Sequence, residues 1–256
     1  LPMESAPEFM KPYANIDDEG IRQHHGNVTQ LDHAFGLLMK ELDQQSLAED
    51  TFVFFTSDNG PEGAGTKGRT RGSAGGLRGR KRWSHEGGIR VPGIARWPNH
   101  IKPGTTSSVP VIGSDLFSTI LAIVGADLPK DRVIDGVDMR PALAGKPLER
   151  PVPLYWRNHV APTDNHVALR IGEWKIVGDK ALEKFQLYKI EEDWKEEKDL
   201  AAKMPEKLVS MKAAVMKVHG EVEKEGPSEW WLDEPPRKRG KRAARKTGKE
   251  LKAEGK

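Results

Sequence analysis

The chain contains no cysteine, so it can form no disulfide, and cysteine usage leaves the redox compartment open. It also lacks any apolar run of about eighteen residues, the length that a helix needs to cross a bilayer, so no transmembrane helix is predicted. The opening residues Leu1–Ser5 show neither the basic region nor the apolar region of a signal peptide. These absences leave the localisation open.

Charge is distributed unevenly along the chain. The net charge is +3, but the segment from Arg237 to Lys256 holds ten Lys/Arg and two Glu, so the rest of the chain is acidic. Residues 231–256 have no apolar periodicity, which predicts a disordered basic tail. Such a tail could bind nucleic acid or another polyanion through charge, although residues 237–256 contain no aromatic residue for base stacking. A solvated tail with no partner is the alternative.

An apolar run, Thr51–Ser57, ends in Asp58, Asn59 and Gly60. Short runs of aromatic and β-branched residues bounded by turn residues predict a buried strand. In open α/β sheets, ligand sites lie beyond the carboxyl ends of the strands, which is where Asp58 and Asn59 fall. Both side chains offer oxygen ligands that suit Ca²⁺ or Mg²⁺. Because Asp-Asn-Gly is also a common turn sequence, a simple turn is the alternative.

The first part of the chain predicts two helices and a second strand. Acidic residues at 17–19 open the first helix, as the helix dipole favours. Its apolar residues recur at three- and four-residue spacing and are predicted to face a core: Val28, Leu31, Phe35, Leu38 and Leu42. Ser114 is expected to cap a second helix over Asp115–Val124, which Gly125 ends. A strand is predicted over 94–97.

The second part of the chain predicts a small antiparallel sheet followed by one helix. Four short segments have strand character: 152–157, 167–170, 174–177 and 187–190. Gly172 lies between the second and third of them and indicates a hairpin turn. Pro205 suits the first turn of a helix. The apolar stripe of that helix is predicted to be Leu208, Met211, Val215, Val218 and Val222.

The residues after the first strand carry a long motif in two parts. Ser57-Asp-Asn-Gly60 is followed, after a glycine-rich loop, by Leu77-Arg-Gly-Arg-Lys-Arg-Trp-Ser-His-Glu-Gly-Gly-Ile-Arg-Val-Pro92. This spacing resembles the sulfatase family, the formylglycine-dependent sulfuric ester hydrolases of the alkaline-phosphatase-like superfamily. Members typically have S-D-N/H-G, a loop, and L-R-G-x-K-x-x-x-x-E-G-G-x-R-V-P. Further similar segments extend the resemblance over roughly residues 15 to 225: His25–Asp32, Asp135–Pro141 and Ala168–Val177.

The resemblance implies an α/β fold: the C-terminal part of an alkaline-phosphatase-like sandwich plus a small antiparallel sheet with a C-terminal helix. On this basis we expect residues 1–148 to belong to the α/β catalytic domain and residues 149–230 to form the sheet and helix. The tail 231–256 follows them. The implied function is the metal-dependent cleavage of sulfate esters of carbohydrates or aryl compounds in the intact parent enzyme.

The resemblance also assigns roles to site residues. It makes Asp58 and Asn59 two of the four protein ligands of a metal, usually Ca²⁺, and Lys81 the lysine that contacts the sulfate. The alternative for Lys81 is a surface cation in a basic loop. His85 falls where the family often has an aromatic residue, so it is a candidate substrate contact, with a structural role as the alternative. Glu86 is expected to pin the loop, and its neighbouring glycines allow close backbone approach.

The sequence departs from the family in two respects. The family makes its formylglycine nucleophile from a C/S-x-P-x-R motif, which is absent here, and the N-terminal pair of metal-binding aspartates is absent too. We therefore expect the chain to resemble the C-terminal half of a sulfatase, to be inactive alone, and to hold an incomplete Ca²⁺ site. By resemblance the parent would be periplasmic or secreted.

Two other functions remain open at the level of the sequence. A related alkaline-phosphatase-like phosphodiesterase or phosphatase would use a Ser or Thr nucleophile and two zinc ions held by Asp and His. Asn59, which stands where such an enzyme usually has His, argues against it. A non-catalytic module that uses the basic tail to bind a polyanion is the third possibility.

Overall fold

A computed structural model describes residues 4–62, 71–161 and 164–225, and every structural statement below refers to these residues. The chain divides into two compact units, Leu1–Val218 and His219–Lys256. The site and both sheets belong to the first unit. The boundary at residue 148 stays a prediction, and the basic tail 231–256 lies outside the described residues.

The first part of the fold consists of helices and a two-stranded sheet. In chain order its elements are α1 (Pro7–Met10), a 3₁₀ turn (Lys11–Tyr13), α2 (Glu19–Gln44), β1 (Val53–Thr56), α3 (Glu86–Ile89), β2 (Gly93–Arg96), α4 (Asp115–Val124) and α5 (Arg140–Leu143). Strands β1 and β2 are antiparallel, with Val53 opposite Arg96 and Thr56 opposite Gly93. They are the only two strands of this sheet among the described residues.

Both predicted helices of this part are confirmed, but one of the predicted caps is wrong. Asp18 caps α2 by accepting a hydrogen bond of 3.0 Å from the backbone nitrogen of Ile21. Gly125 ends α4 with a φ of 73°, which favours glycine. Ser114 makes no side-chain cap. The adjacent Asp115 carboxylate instead holds the preceding loop, accepting from the Ile112 backbone nitrogen at 2.8 Å.

The apolar stripe of α2 does not form the predicted core. Val28, Leu31 and Leu38 are more than half exposed, while Phe35 contacts the ring of Phe55 on β1, with 5.3 Å between centroids. Helix α4 also exposes apolar side chains, namely Phe117, Ile120 and Val124. No element among the described residues covers these faces, so the sequence pattern correctly identified an apolar face but not its burial.

The second part of the fold is a meander of four antiparallel strands followed by a helix. The strands are β3 (Leu154–Arg157), β4 (Val167–Ile171), β5 (Trp174–Gly178) and β6 (Phe185–Lys189), and the helix is α6 (Pro205–Glu225). The strands pair in chain order, and the predicted antiparallel sheet with its hairpin at Gly172 is confirmed. Buried residues of this part form the main core: Ala168, Val177, Tyr188 and Ile190, with Trp156 packed against them. Helix α6 buries Met211, Val215 and Val218 of its predicted stripe.

None of the helices within the described ranges combines the length and apolar composition that a membrane span requires.

Candidate active site

Asp58 and Asn59 lie in a turn just beyond β1, separated from the strand by Ser57. The Ser57 hydroxyl donates to the Asn59 carbonyl oxygen at 3.1 Å and closes this turn. Asp58 is exposed and Asn59 is half-buried. Their three side-chain oxygens therefore lie in a hydrogen-bonded turn at the carboxyl end of the strand.

The two parts of the motif meet through backbone contacts. The backbone nitrogen of Gly60 donates to the carbonyl oxygen of Gly88 at 2.9 Å. The backbone nitrogen of Lys81 donates to the carbonyl oxygen of Pro61, also at 2.9 Å. A Cβ atom on Gly60 would overlap the carbonyl oxygen of Gly87. The glycines are thus required because the backbones approach more closely than any side chain allows. The result is that the loop carrying Lys81 is held against the Asp58–Asn59 turn.

Arg82, next to Lys81, reverses the chain direction within this loop. It adopts a φ of 74°, in the left-handed region that residues other than glycine seldom occupy. Its guanidinium pairs with Glu62 Oε1 at 2.7 Å. The turn separates Lys81 from Trp83, whose backbone nitrogen donates to the Arg80 carbonyl oxygen at 2.9 Å.

Glu86, at the start of α3, lies in a buried cluster of charges. Its Oε1 is 2.8 Å from Lys175 Nζ, and its Oε2 is 2.6 Å from the guanidinium of Arg90. Lys175 also lies 2.9 Å from Glu196 Oε1, and Glu196 Oε2 accepts from the Glu86 backbone nitrogen at 2.7 Å. Lys175 and Glu196 are fully buried. Glu86 therefore fixes the motif to the second sheet.

The two carboxylates of this cluster respond differently to their surroundings. Burial by itself raises the pKa of Glu86, but the charges of Lys175 and Arg90 more than offset it, and the net effect is a lowered pKa. Burial raises the pKa of Glu196, and Lys175 offsets this only in part. Glu86 is accordingly the carboxylate that the cations hold in its charged form.

The sequence did not identify Lys175 and Glu196 as partners of the motif. Lys175 lies between Trp174 and Ile176 on a strand that is buried along almost its whole length. A lysine within an apolar strand pattern was therefore the signal in the sequence that could have indicated a buried ion pair. Glu196 offered a weaker signal, because it lies in a charged stretch that is typical of a solvated loop. Its backbone adopts a φ of 57°, which the sequence does not indicate.

His85 lies in the interior rather than on an open surface. It is 2 % exposed, and its Nε2 is 3.3 Å from Gln186 Oε1 on β6. Burial, reinforced by the charges of Arg78 and Lys175, lowers the pKa of His85 to about 3, so the ring is neutral at ordinary pH. His85 thus connects the motif to the second sheet, and a contact with substrate stays a prediction.

Asp58 and Asn59 border a cavity of about 150 Å³. The motif and the end of β3 supply the rest of its lining: Arg82, Trp83, Ser84, Gly88, Ile89, Trp156, Arg157 and Asn158. Lys81 is outside this lining. A larger cavity of about 760 Å³ is lined by Glu86, Arg90 and Arg170 among others, but by neither metal-ligand candidate. The smaller cavity is therefore the candidate site.

The described residues contain no complete set of metal ligands. They contain no group of three or more His, Cys, Asp or Glu side chains that could hold a metal ion. Asp58 and Asn59 offer adjacent hard oxygen donors, which fit two positions of a Ca²⁺ sphere that takes six to eight oxygens. The donor chemistry thus suits Ca²⁺, while the number of donors is too small for a closed site.

Comparison with known proteins decides the family. The family model described as N-sulphoglucosamine sulphohydrolase, C-terminal, matches residues 79–222, more than half of the chain. The Sulfatase model matches residues 2–126. The chain belongs to the sulfatase family. Solved sulfatases are its structural neighbours, and the fold class expected from the sequence is confirmed.

Individual sulfatases match parts of the chain. Steryl-sulfatase from Homo sapiens is 41% identical over 140 residues, covering 52% of this chain and 24% of that protein. N-acetylgalactosamine-6-sulfatase from Canis lupus familiaris is 37% identical over 170 residues, covering 64% and 30%. The crystal structure of Ps i-CgsB in complex with k-i-k-neocarrahexaose gives a TM-score of 0.70 at 28% identity, covering 92% of this chain and 49% of that chain. The sulfatase chain thus spans less than a third of these curated relatives and about half of the solved structure.

Proposed function

We propose that this sulfatase chain serves the hydrolysis of sulfate esters, with Asp58 and Asn59 as metal ligands and Lys81 as the cation that binds the sulfate. The observation that carries the proposal is the backbone contact between the two parts of the motif. The backbone nitrogen of Lys81 donates a hydrogen bond of 2.9 Å to the carbonyl oxygen of Pro61. This bond holds the loop that carries Lys81 beside the turn that carries Asp58 and Asn59. A merely basic surface loop would not require this alignment.

Sulfate-ester cleavage develops negative charge on the leaving oxygen and redistributes charge over the sulfuryl oxygens. A Ca²⁺ ion held in part by Asp58 and Asn59 would supply electrostatic stabilisation at this position. Asp58 contributes a charged oxygen and Asn59 a neutral one. The Lys81 ammonium is a compact point charge with three donors, which suits sulfuryl oxygens whose charge changes during the reaction.

The chain carries no residue that we can assign as the nucleophile. Its 256 residues contain no cysteine and no Ser-x-Pro-x-Arg, from which the family makes formylglycine. Without a nucleophile the covalent step cannot occur. We therefore propose that this chain alone does not turn over sulfate esters.

The proposed substrate is a sulfated carbohydrate. One relative is named N-acetylgalactosamine-6-sulfatase, and one structural neighbour was solved in complex with neocarrahexaose. The basic segment 237–256, outside the described residues, would attract a polyanionic carbohydrate through its positive charge. This attraction would weaken as salt screens the charges.

The test is a titration of the chain with inorganic sulfate in the presence of Ca²⁺, followed by NMR. Lys81→Ala should weaken sulfate binding, whereas Arg80→Ala, the matched control one residue away, should not. Equal losses in both variants would mean that the loop attracts sulfate through its general charge, and Lys81 would then have no special role. An aryl sulfate assay of the chain should give no turnover above background.

A further inference from the structure

The larger cavity, of about 760 Å³, has a mostly apolar lining that contains a few charged groups. Part of this lining belongs to the main core or to the second sheet, so the fold fixes these side chains: Leu154, Trp156 and Ile190. Residues 107–111 and Trp194 contribute to the rest of the lining. Small-molecule sites commonly have this size and this composition. The charged groups of the lining then determine which ligand such a cavity can bind.

Arg170, on β4, brings a partly buried positive charge to this cavity. Its Nε donates to the Gly172 carbonyl oxygen at 2.8 Å. Within the described part of the chain, its guanidinium forms no ion pair with a carboxylate. An arginine that is withdrawn from water is normally paired, because an uncompensated charge in the interior is costly. Arg170 therefore has its two terminal nitrogens available for an anion.

The charges near Arg170 do not compensate its own. Burial lowers the pKa of Arg170, and the positive charge of Arg90 adds to this effect, while Glu86 and Glu191 oppose it. The Glu86 carboxylate is already bound to Lys175 at 2.8 Å and to Arg90 at 2.6 Å. Glu191, the other carboxylate of the lining, is exposed. The cavity thus presents two guanidinium groups, one of which shares its carboxylate with a lysine.

We propose that the larger cavity binds a carboxylate that is joined to an apolar body. Arg170 holds the carboxylate, because a planar guanidinium matches its two oxygens in a bidentate pair. Arg90 adds a second positive charge beside it, and Trp156 and Trp194 offer aromatic surfaces to the apolar body. The inference goes beyond the proposed function, because this lining includes neither metal-ligand candidate and does not include Lys81.

The experiment is a titration of the 256-residue chain with 2-naphthoate, followed by NMR of the indole N–H groups. Trp194 lines the larger cavity and Trp83 lines the candidate site, so their signals distinguish the two cavities. We expect a saturable shift of the Trp194 signal and no shift of the Trp83 signal. Two ligands serve as controls: 2-naphthamide has the same shape without the charge, and acetate has the charge without the apolar body. Both should bind at least about tenfold more weakly.

Arg170→Gln should raise the Kd of 2-naphthoate roughly ten- to hundredfold, since it removes hydrogen bonds between charged groups. Arg170→Lys keeps the charge but not the planar fork, so it should recover only part of the affinity. Glu191→Gln should lower the Kd, because it removes a carboxylate that competes for Arg170, and its exposed position makes misfolding no concern. Arg140→Gln is the matched control, because Arg140 pairs with Asp138 outside this lining. It should leave the Kd unchanged.

The proposal is wrong if 2-naphthamide binds as tightly as 2-naphthoate, if Arg170→Gln and Arg140→Gln give the same Kd, or if the Trp83 signal responds instead of the Trp194 signal. A titration with inorganic sulfate separates this site from the proposed function. Lys81→Ala should weaken sulfate binding and leave the Kd of 2-naphthoate unchanged, and Arg170→Gln should do the reverse. If sulfate binding is indifferent to Lys81 while 2-naphthoate depends on Arg170, the carboxylate site stands and the proposed function falls.

Discussion

The Lys175 ammonium, fully buried in β5, lies 2.8 Å from the carboxylate of Glu86, which precedes it by 89 positions in the chain. This ion pair joins the second sheet to the helix that begins the Glu-Gly-Gly part of the motif. The position of the motif, and with it that of Lys81, therefore depends on a residue far from the proposed chemistry.

Replacing Lys175 with methionine should destabilise the protein strongly. Lys175→Met leaves Glu86 with only the half-exposed Arg90 as partner and leaves Glu196 buried without a cation. Breaking a buried pair in this way typically costs about 3–5 kcal/mol. The measurement is urea denaturation, with Lys189→Met as control, because the partly exposed pairs of Lys189 should contribute less than about 1 kcal/mol. Similar losses in the two variants would contradict a special role for the buried cluster.

The stability of the protein should fall in acid in part because of His85. Its pKa is about 3 in the folded state, below the ordinary value of 6.5, so the unfolded chain binds a proton that the folded chain does not. The neutral His85 ring makes its full contribution to the free energy of unfolding above pH 6.5. This contribution is lost as pH falls towards about 3, by up to about 1.4 kcal/mol per pH unit. In urea denaturation at several pH values, His85→Gln should show a shallower decline than the parent. His100→Gln, at an exposed position, should follow the parent, and parallel curves for all three proteins would refute the assignment.

The glycines of the motif should tolerate no side chain. In Gly87→Ala the new Cβ would lie 2.6 Å from the Arg78 carbonyl oxygen, and such overpacking costs about 1–3 kcal/mol. Gly36→Ala provides the contrast, since a Cβ there meets nothing within 4 Å and alanine favours the α2 helix by about 1 kcal/mol. In thermal denaturation, Gly87→Ala should lower the Tm, whereas Gly36→Ala should raise it. A neutral Gly87→Ala would mean that the backbone contact is looser than the structure describes.

Calcium should bind this chain weakly. Asp58 and Asn59 supply at most three side-chain oxygens, whereas Ca²⁺ takes six to eight, so we expect a Kd no tighter than about 10⁻⁴ M. Calorimetry of the chain and of Asp58→Ala provides the test. A sub-micromolar affinity that disappears in Asp58→Ala would show that further ligands are present and that the site is complete.

Local features of the fold could be predicted from the sequence, whereas long-range contacts could not. The meander and α6 were predictable because their strands pair in chain order and their apolar periodicity is regular. The α2 stripe was mispredicted because periodicity shows which face is apolar but not what covers it. For the candidate site, the motif indicated Asp58 and Asn59, which border the cavity, and Lys81, which is outside its lining. The pairing of Glu86 with Lys175 joins segments too distant in sequence for any local pattern to connect them.

The backbone contact between Gly60 and Gly87 also has a consequence for how such a site can diversify. Because it is made without side chains, substitutions at Trp83 or Ser84 change the cavity wall without entering the backbone contact that aligns the loop of Lys81. The cavity wall and the backbone contact thus occupy separate positions of one short segment. Single substitutions in this segment could therefore change the shape of the cavity while the backbone contact stays intact.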